Sequence, residues 1–189
     1  MVILIGGVSR AGKTILSQKL MEKYKIPYFS IDHLKMGIYR GWSKCGFTPE
    51  SNDKLITKKL WKIIKGIIMT NIENNQSIII EGVNLPYSIK DLETEYSSKI
   101  IFCKICFSDK YIENNLKTKI IKNENIIESR GYDFEYKINK YIKDNNIVKE
   151  LCKKNKIKYF EIKKDYEEEI KNVYKWINNE YVKKSRHFA

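Results

Sequence analysis

A nine-residue stretch, GGVSRAGKT at positions 6–14, does most to limit what this chain can become, because it follows the apolar run MVILI and opens directly onto a helical pattern. Within it Gly7, Gly12, Lys13 and Thr14 satisfy the spacing G-x-x-x-x-G-K-[ST]. Glycines let the main chain wrap closely round an oxyanion, and successive N–H groups joined to a helix N-terminus supply partial positive charge. The stretch therefore reads as a phosphate-binding loop, with Gly7, Ser9, Arg10, Ala11, Gly12, Lys13, Thr14 and Ile15 gathered round a triphosphate. Lys13 is expected to reach the β- and γ-phosphates and Thr14 to offer its hydroxyl to magnesium.

A strand before this loop and a helix after it set the pattern for the remaining sequence. Short β-branched runs at 2–6, 28–31, 77–81, 99–107 and 157–162 alternate with segments whose apolar residues recur every three or four positions. Helices are predicted over 13–24, 52–74, 88–97, 109–129, 136–154 and 166–183, with one more short helix after the second strand. Alternation of this kind implies parallel strands joined by right-handed crossovers, hence an α/β three-layer sandwich. Strands this apolar should be covered on both faces. Two stretches exceed a simple crossover: residues 32–76, which are read as a substrate-binding insertion, and residues 109–156, which are read as a lid-containing helical region. The whole of 1–189 is expected to be one domain.

Several polar residues fall where strands end. Glu81 closes the buried run SIIIE, and a carboxylate at that point can hold magnesium beside Thr14. Asp32 follows the second strand at the sheet's carboxyl edge, where it can orient a substrate hydroxyl or accept its proton, although an aspartate there also suits a helix N-cap. Lys35 and Arg40 lie on the same predicted helix and can grip an anionic substrate. His33 reads as helix surface. The chain has four arginines, Arg10, Arg40, Arg130 and Arg186, among many lysines, so an arginine marks a place for a planar bidentate donor. Arg130, in ESRGYDFE, is placed as a catalytic residue that closes over the transferring phosphoryl group. Tyr39, Trp42 and Phe47 can stack on a base or belong to the core.

Composition removes other classes. No apolar run approaches the roughly 20 residues of a membrane helix. MVILIGG reads as a buried strand rather than a signal peptide, and a cytoplasmic location is expected. Cys45, Cys103, Cys106 and Cys152 are too scattered for a disulfide scaffold. A formal charge of +13 raises an ATP-dependent nucleic-acid-binding module as the alternative, but no segment gathers the excess into a basic arm. Guanine-reading switch proteins carry an Asn-Lys-x-Asp segment, which is absent from this sequence.

Taken together, GGVSRAGKT, IDHLK and IIIEGVNLP resemble the motifs of P-loop small-molecule kinases of the nucleoside monophosphate kinase fold, adenylate kinase-like or 2-phosphoglycerate kinase-like. The resemblance covers residues 1–110 by motif and the remainder by order of elements. It implies a five-stranded parallel sheet in the order 2-3-1-4-5, ATP and Mg2+ as cofactors, and phosphoryl transfer to a small anionic acceptor. Lys13, Asp32 and Arg130 are then the catalytic set, Asp32, Lys35 and Arg40 the acceptor contacts, and Thr14 and Glu81 the metal contacts. Adenylate kinase-type enzymes carry an arginine just after the acid-Gly turn, where this chain reads GVNLPYS. A hydroxylated metabolite is thus as open as a nucleoside monophosphate, and the oligomeric state is left open too.

Overall fold

The computed structural model describes residues 1–116, 120 and 138–186. Five strands, β1 (Val2–Gly7), β2 (Tyr28–Ser30), β3 (Ile78–Glu81), β4 (Ile100–Phe107) and β5 (Lys158–Ile162), form one sheet in the order β2-β3-β1-β4-β5. Every pairing is parallel, with Leu4 opposite both Ile80 and Phe102 and with Gly6 opposite Lys104. This is the α/β architecture and strand order expected above.

Period-two alternation along β1 divides the core. Ile3 and Ile5 join a cluster with Leu16 and Leu20 of α1 (Lys13–Tyr24) and with Val173 and Ile177 of α7 (Tyr166–Ser185). Val2 and Leu4 point the other way and join Ile56, Leu60, Ile64 and Ile68 of α3 (Asp53–Glu73). A strand buried on both faces cannot alternate with polar residues, which is why β1 is apolar from Val2 to Ile5. On α3, Lys54, Lys58 and Lys62 are exposed on the side away from Ile56, Leu60, Ile64 and Ile68, and Ile63 is 39% exposed.

The second strand ends one residue sooner than its apolar run, because Ile31 begins α2 (Ile31–Gly41) and is fully buried there. Residues 42–52 turn back under α3, burying Cys45 and Phe47 in the same cluster and leaving Trp42 exposed. The helix expected over 88–97 contracts to α4 (Thr94–Ser97). Its first half is held instead as a turn: Trp61 of α3 donates from Nε1 to both Asp91 carboxylate oxygens, at 3.2 and 3.0 Å, and Lys65 pairs with Asp91 at 2.7 Å. Apolar spacing alone did not reveal that anchoring. Of the helix expected over 109–129, the described part is α5 (Asp109–Asn115), and α6 (Ile138–Lys154) is the next described element and packs across β4 and β5. Among the described residues, no helix is long and apolar enough to cross a membrane. The four cysteines are buried free thiols.

Candidate active site

The sheet brings the carboxyl ends of β1, β3 and β2 side by side, and each delivers one predicted residue. Ser30 pairs with Glu81 and Glu81 with Ile5 in the ladder, so Asp32, Glu81 and the Gly7–Thr14 loop emerge at neighbouring strand ends. Gly82 lies tightly against Ile31: a Cβ there would come within 2.8 Å of the Ile31 Cβ. The turn after β3 can therefore press on the first residue of α2 only if it carries a glycine.

Between β1 and α1 the loop is built for exposed N–H groups. Arg10 has φ of 62° and Gly12 φ of 73°, both left-handed, a conformation that costs an L-residue such as Arg10 roughly 1–2 kcal/mol. Gly12 is the N-cap of α1 and no side chain caps that end. The first helical bond runs from Leu16 N–H to the Gly12 carbonyl at 3.0 Å, so the N–H groups of Lys13, Thr14 and Ile15 precede the helical ladder. The left-handed Arg10 and the helix end without a side-chain cap leave main-chain donors of the kind that can hold an anion. Lys13, 7% exposed, donates from Nζ to the Val8 carbonyl at 2.8 Å and so folds its ammonium back across the loop.

Two tyrosines clip this loop from behind. Tyr141 of α6 donates its hydroxyl to the Ser9 carbonyl at 2.6 Å, and Tyr166, at the start of α7, donates to the Ala11 carbonyl at 3.4 Å. Their rings flank Phe107 at the end of β4, with centroids 6.3 and 6.5 Å away, while Tyr111 stacks on Phe107 at 5.1 Å. Burial pushes the Tyr166 hydroxyl well above its ordinary value, with Glu167 and Tyr111 acting in the same direction, so it stays a donor. Fully buried Asn145 fixes the arrangement: its Oδ1 accepts from Phe107 N–H at 2.7 Å, and its Nδ2 donates to the Tyr141 carbonyl at 2.7 Å. None of these partners stood out in the sequence. A tyrosine on an apolar helix stripe looks like core packing, and here it is core packing with a polar tip.

Thr14 and Glu81 meet. The Thr14 hydroxyl donates to Glu81 Oε1 at 3.3 Å, and Glu81 is 2% exposed. Neighbouring ligands round an octahedral ion with bonds of about 2.1 Å stand about 3 Å apart, so this oxygen pair suits a small hard divalent cation. Among the described residues, no group of three or more His, Cys, Asp or Glu side chains converges as a metal cage. Such an ion would complete its shell from water and substrate oxygens.

Asp32 lies in the first turn of α2 and is not its N-cap, a position held by Ser30. It pairs with Lys35 at 3.0 Å, both side chains being partly exposed. Arg40 and His33 are exposed on the same helix, and Arg40, at its far end, is not drawn into that ion pair. Further along the edge, buried Asn84 donates to Asp53 Oδ1 at 2.9 Å. Desolvation, and then the Asp53 charge, raise the carboxyl of Asp144 on α6 above its ordinary value, with Lys140 and Lys143 opposing. Arg130 lies outside the described residues.

Strand order and covering helices give this chain a fold that it shares with solved small-molecule kinases. Solved structures with the same fold include shikimate kinase from Bacteroides thetaiotaomicron, which aligns over 94% of this chain and 98% of its own, with a TM-score of 0.50 and 11% identity. Deoxyadenosine kinase from M. mycoides aligns over 95% of this chain and 100% of its own, with a TM-score of 0.49 and 15% identity. Shikimate kinase from Aquifex aeolicus aligns over 96% and 99%, with a TM-score of 0.46 and 16% identity. At these identities the likeness is one of fold. No family model matches the sequence, and no curated protein matches it.

Proposed function

We propose that this chain is a magnesium-dependent kinase that moves the γ-phosphoryl group of ATP to a small anionic acceptor. The observation that carries the reading is the contact of the Thr14 hydroxyl with the buried Glu81 carboxylate, 3.3 Å apart, beside a strained and uncapped loop. Magnesium, when bound by these two residues, would neutralise charge on the phosphate oxygens. The chain's own groups do the positioning. Loop N–H groups from Gly7 to Ile15 hold the phosphates, and Lys13 swings its ammonium from the Val8 carbonyl onto the transferring oxygens.

Acceptor handling falls to α2 and the 32–76 insertion. Asp32 accepts the proton of an attacking hydroxyl or orients it, and Lys35, already within ion-pair distance of Asp32, meets an anionic group of the same molecule. An exposed Arg40 offers a second cation at the far end of the helix. The lid role of 109–156 and the closing role of Arg130 belong to the same reading and stand on the sequence alone. Hydroxylated acceptors fit a carboxylate at Asp32 most directly, and the structure from Bacteroides thetaiotaomicron that shares the fold is by name a small-molecule kinase, shikimate kinase.

The test is release of ADP by purified protein with ATP and Mg2+, screened against nucleoside monophosphates, phosphorylated glycerates, sugar acids and nucleosides. One class should stimulate turnover, and Lys13→Met should lower it on the order of 10²- to 10³-fold, as loss of an oxyanion donor does, with the fold retained. Turnover that survives Lys13→Met would sink the mechanism.

A further inference from the structure

Lys104 is the one lysine of β4, fully buried opposite Gly6 at the root of the phosphate loop. A Cβ added to Gly6 would come within 3.0 Å of the Lys104 Cγ and 3.2 Å of its Nζ, so the missing side chain of Gly6 makes the space that the amine fills. Its Nζ donates to the Leu85 carbonyl at 2.7 Å and lies 3.9 Å from the centroid of the Tyr87 ring. Both partners belong to the segment that follows Glu81. Neither is a carboxylate.

We propose that Lys104 is a proton-linked reserve cation of the phosphate site: when polyphosphate enters the Gly7–Thr14 loop, the amine behind Gly6 takes up one proton and adds a second positive charge to that of Lys13. The proposal rests on the phosphate-binding reading of the loop. Protonation fills the amine lone pair with a proton from solvent and breaks no bond in the protein. The Leu85 carbonyl accepts from the amine in either state, and the face of Tyr87 favours the charged one. Lys104 touches neither phosphate nor acceptor, so it is a positioning residue that acts through the field at the loop.

Its surroundings make the charge conditional. Burial holds the amine down to about 7. The Cys152 thiol of α6 and Lys13 of α1 are the other titratable groups that it senses, Lys13 opposing its charge. Burial in turn pushes that thiol up to about 11 and keeps it neutral. The Tyr87 hydroxyl is likewise held up, first by burial. Since the charge of Lys13 is felt at Lys104, phosphate charge delivered to Lys13 is felt there too. With an effective dielectric of about 20, each net negative charge within about 10 Å raises the pH at which such an amine titrates by about one.

Calorimetric titration of the full chain with Mg·ADP at pH 8, in Tris and again in HEPES, reads the protons bound. The expected uptake is roughly 0.4 to 0.8 proton per nucleotide, falling away towards pH 6 where the amine already carries its charge. Lys104→Met should still bind nucleotide, about tenfold more weakly, with that uptake abolished. Uptake that persists in the variant overturns the proposal. If the variant does not fold, the wild-type protein with 15N- and 13C-labelled lysine answers by NMR: the Lys104 midpoint should rise by one or more on adding Mg·ADP, and an unmoved midpoint overturns the proposal. Nucleotide heat without Lys104-dependent uptake removes this proposal alone, whereas no nucleotide heat removes the phosphate reading as well.

Discussion

Replacing Tyr141 by Phe isolates the bond that restrains the Gly7–Thr14 loop from behind. The side chain is 2% exposed, and its ring packs near Phe107 with centroids 6.3 Å apart, so phenylalanine fills the same space and only the hydroxyl is lost. That hydroxyl reaches the Ser9 carbonyl at 2.6 Å. A neutral hydrogen bond contributes about 1 kcal/mol net, and a half-buried carbonyl such as that of Ser9 can recruit water in its place. The expected loss is therefore about 1 kcal/mol, which in a domain of this size lowers Tm by about 2–4 °C. If the loss is spent on loosening the loop, the fraction of molecules ready to bind falls, and Mg·ADP affinity drops by up to about fivefold. Tyr166→Phe serves as the internal control, because its 3.4 Å contact with the Ala11 carbonyl is poor and should contribute about 0.5 kcal/mol or less. Differential scanning calorimetry and nucleotide titration on both variants decide the matter. A Tm unchanged by Tyr141→Phe, or a larger loss from Tyr166→Phe, would refute the clip.

Three other outcomes are expected. Gly12→Ala puts a Cβ 1.6 Å from the Tyr166 hydroxyl at φ of 73°, and strain plus crowding should cost about 2–4 kcal/mol in urea melts; adding Tyr166→Ala should recover the crowding part only. Glu81→Gln keeps the shape of the side chain but weakens its hold on the ion, so half-maximal turnover should need about tenfold more Mg2+, checked by titrating the metal at saturating ATP. Lys104→Met should alter how stability depends on pH. Its folded amine titrates at about 7 against an ordinary 10.5, so between those values the unfolded chain holds more protons. Stability from this group is complete above the ordinary value and is lost as pH falls towards 7, at about 1.4 kcal/mol per pH unit. Urea melts at pH 7 and 9 should show that slope in the wild type and its loss in the variant; equal slopes would refute it.

The central strands were legible because a sheet covered on both faces leaves short, uninterrupted β-branched runs, and SIIIE and MVILI carry that mark. Placement of the loop followed from Gly7, Gly12, Lys13 and Thr14 lying between such a run and a helix. What stayed hidden depends on distant partners. Residues 88–93 have helical spacing, yet Trp61 and Lys65 draw Asp91 out of a helix. Tyr141 and Asn145 sit four apart on α6 like core residues, and only the folded chain reveals that one reaches Ser9 and the other closes β4. Lys104 lay unmarked inside FCKICF. Its one trace was a glycine at position 6, on the neighbouring strand and meaningful only once Gly6 and Lys104 are known to face each other.

The most direct measurement is a crystal structure of the protein grown with Mg2+ and a non-hydrolysable ATP analogue. The β- and γ-phosphates should lie within the N–H groups of Gly7 to Ile15, with Lys13 Nζ moved off the Val8 carbonyl onto them and the ion on Thr14 Oγ1 beside Glu81. A nucleotide bound elsewhere, or a loop left without phosphate at saturating analogue with Lys13 still on Val8, would contradict the account.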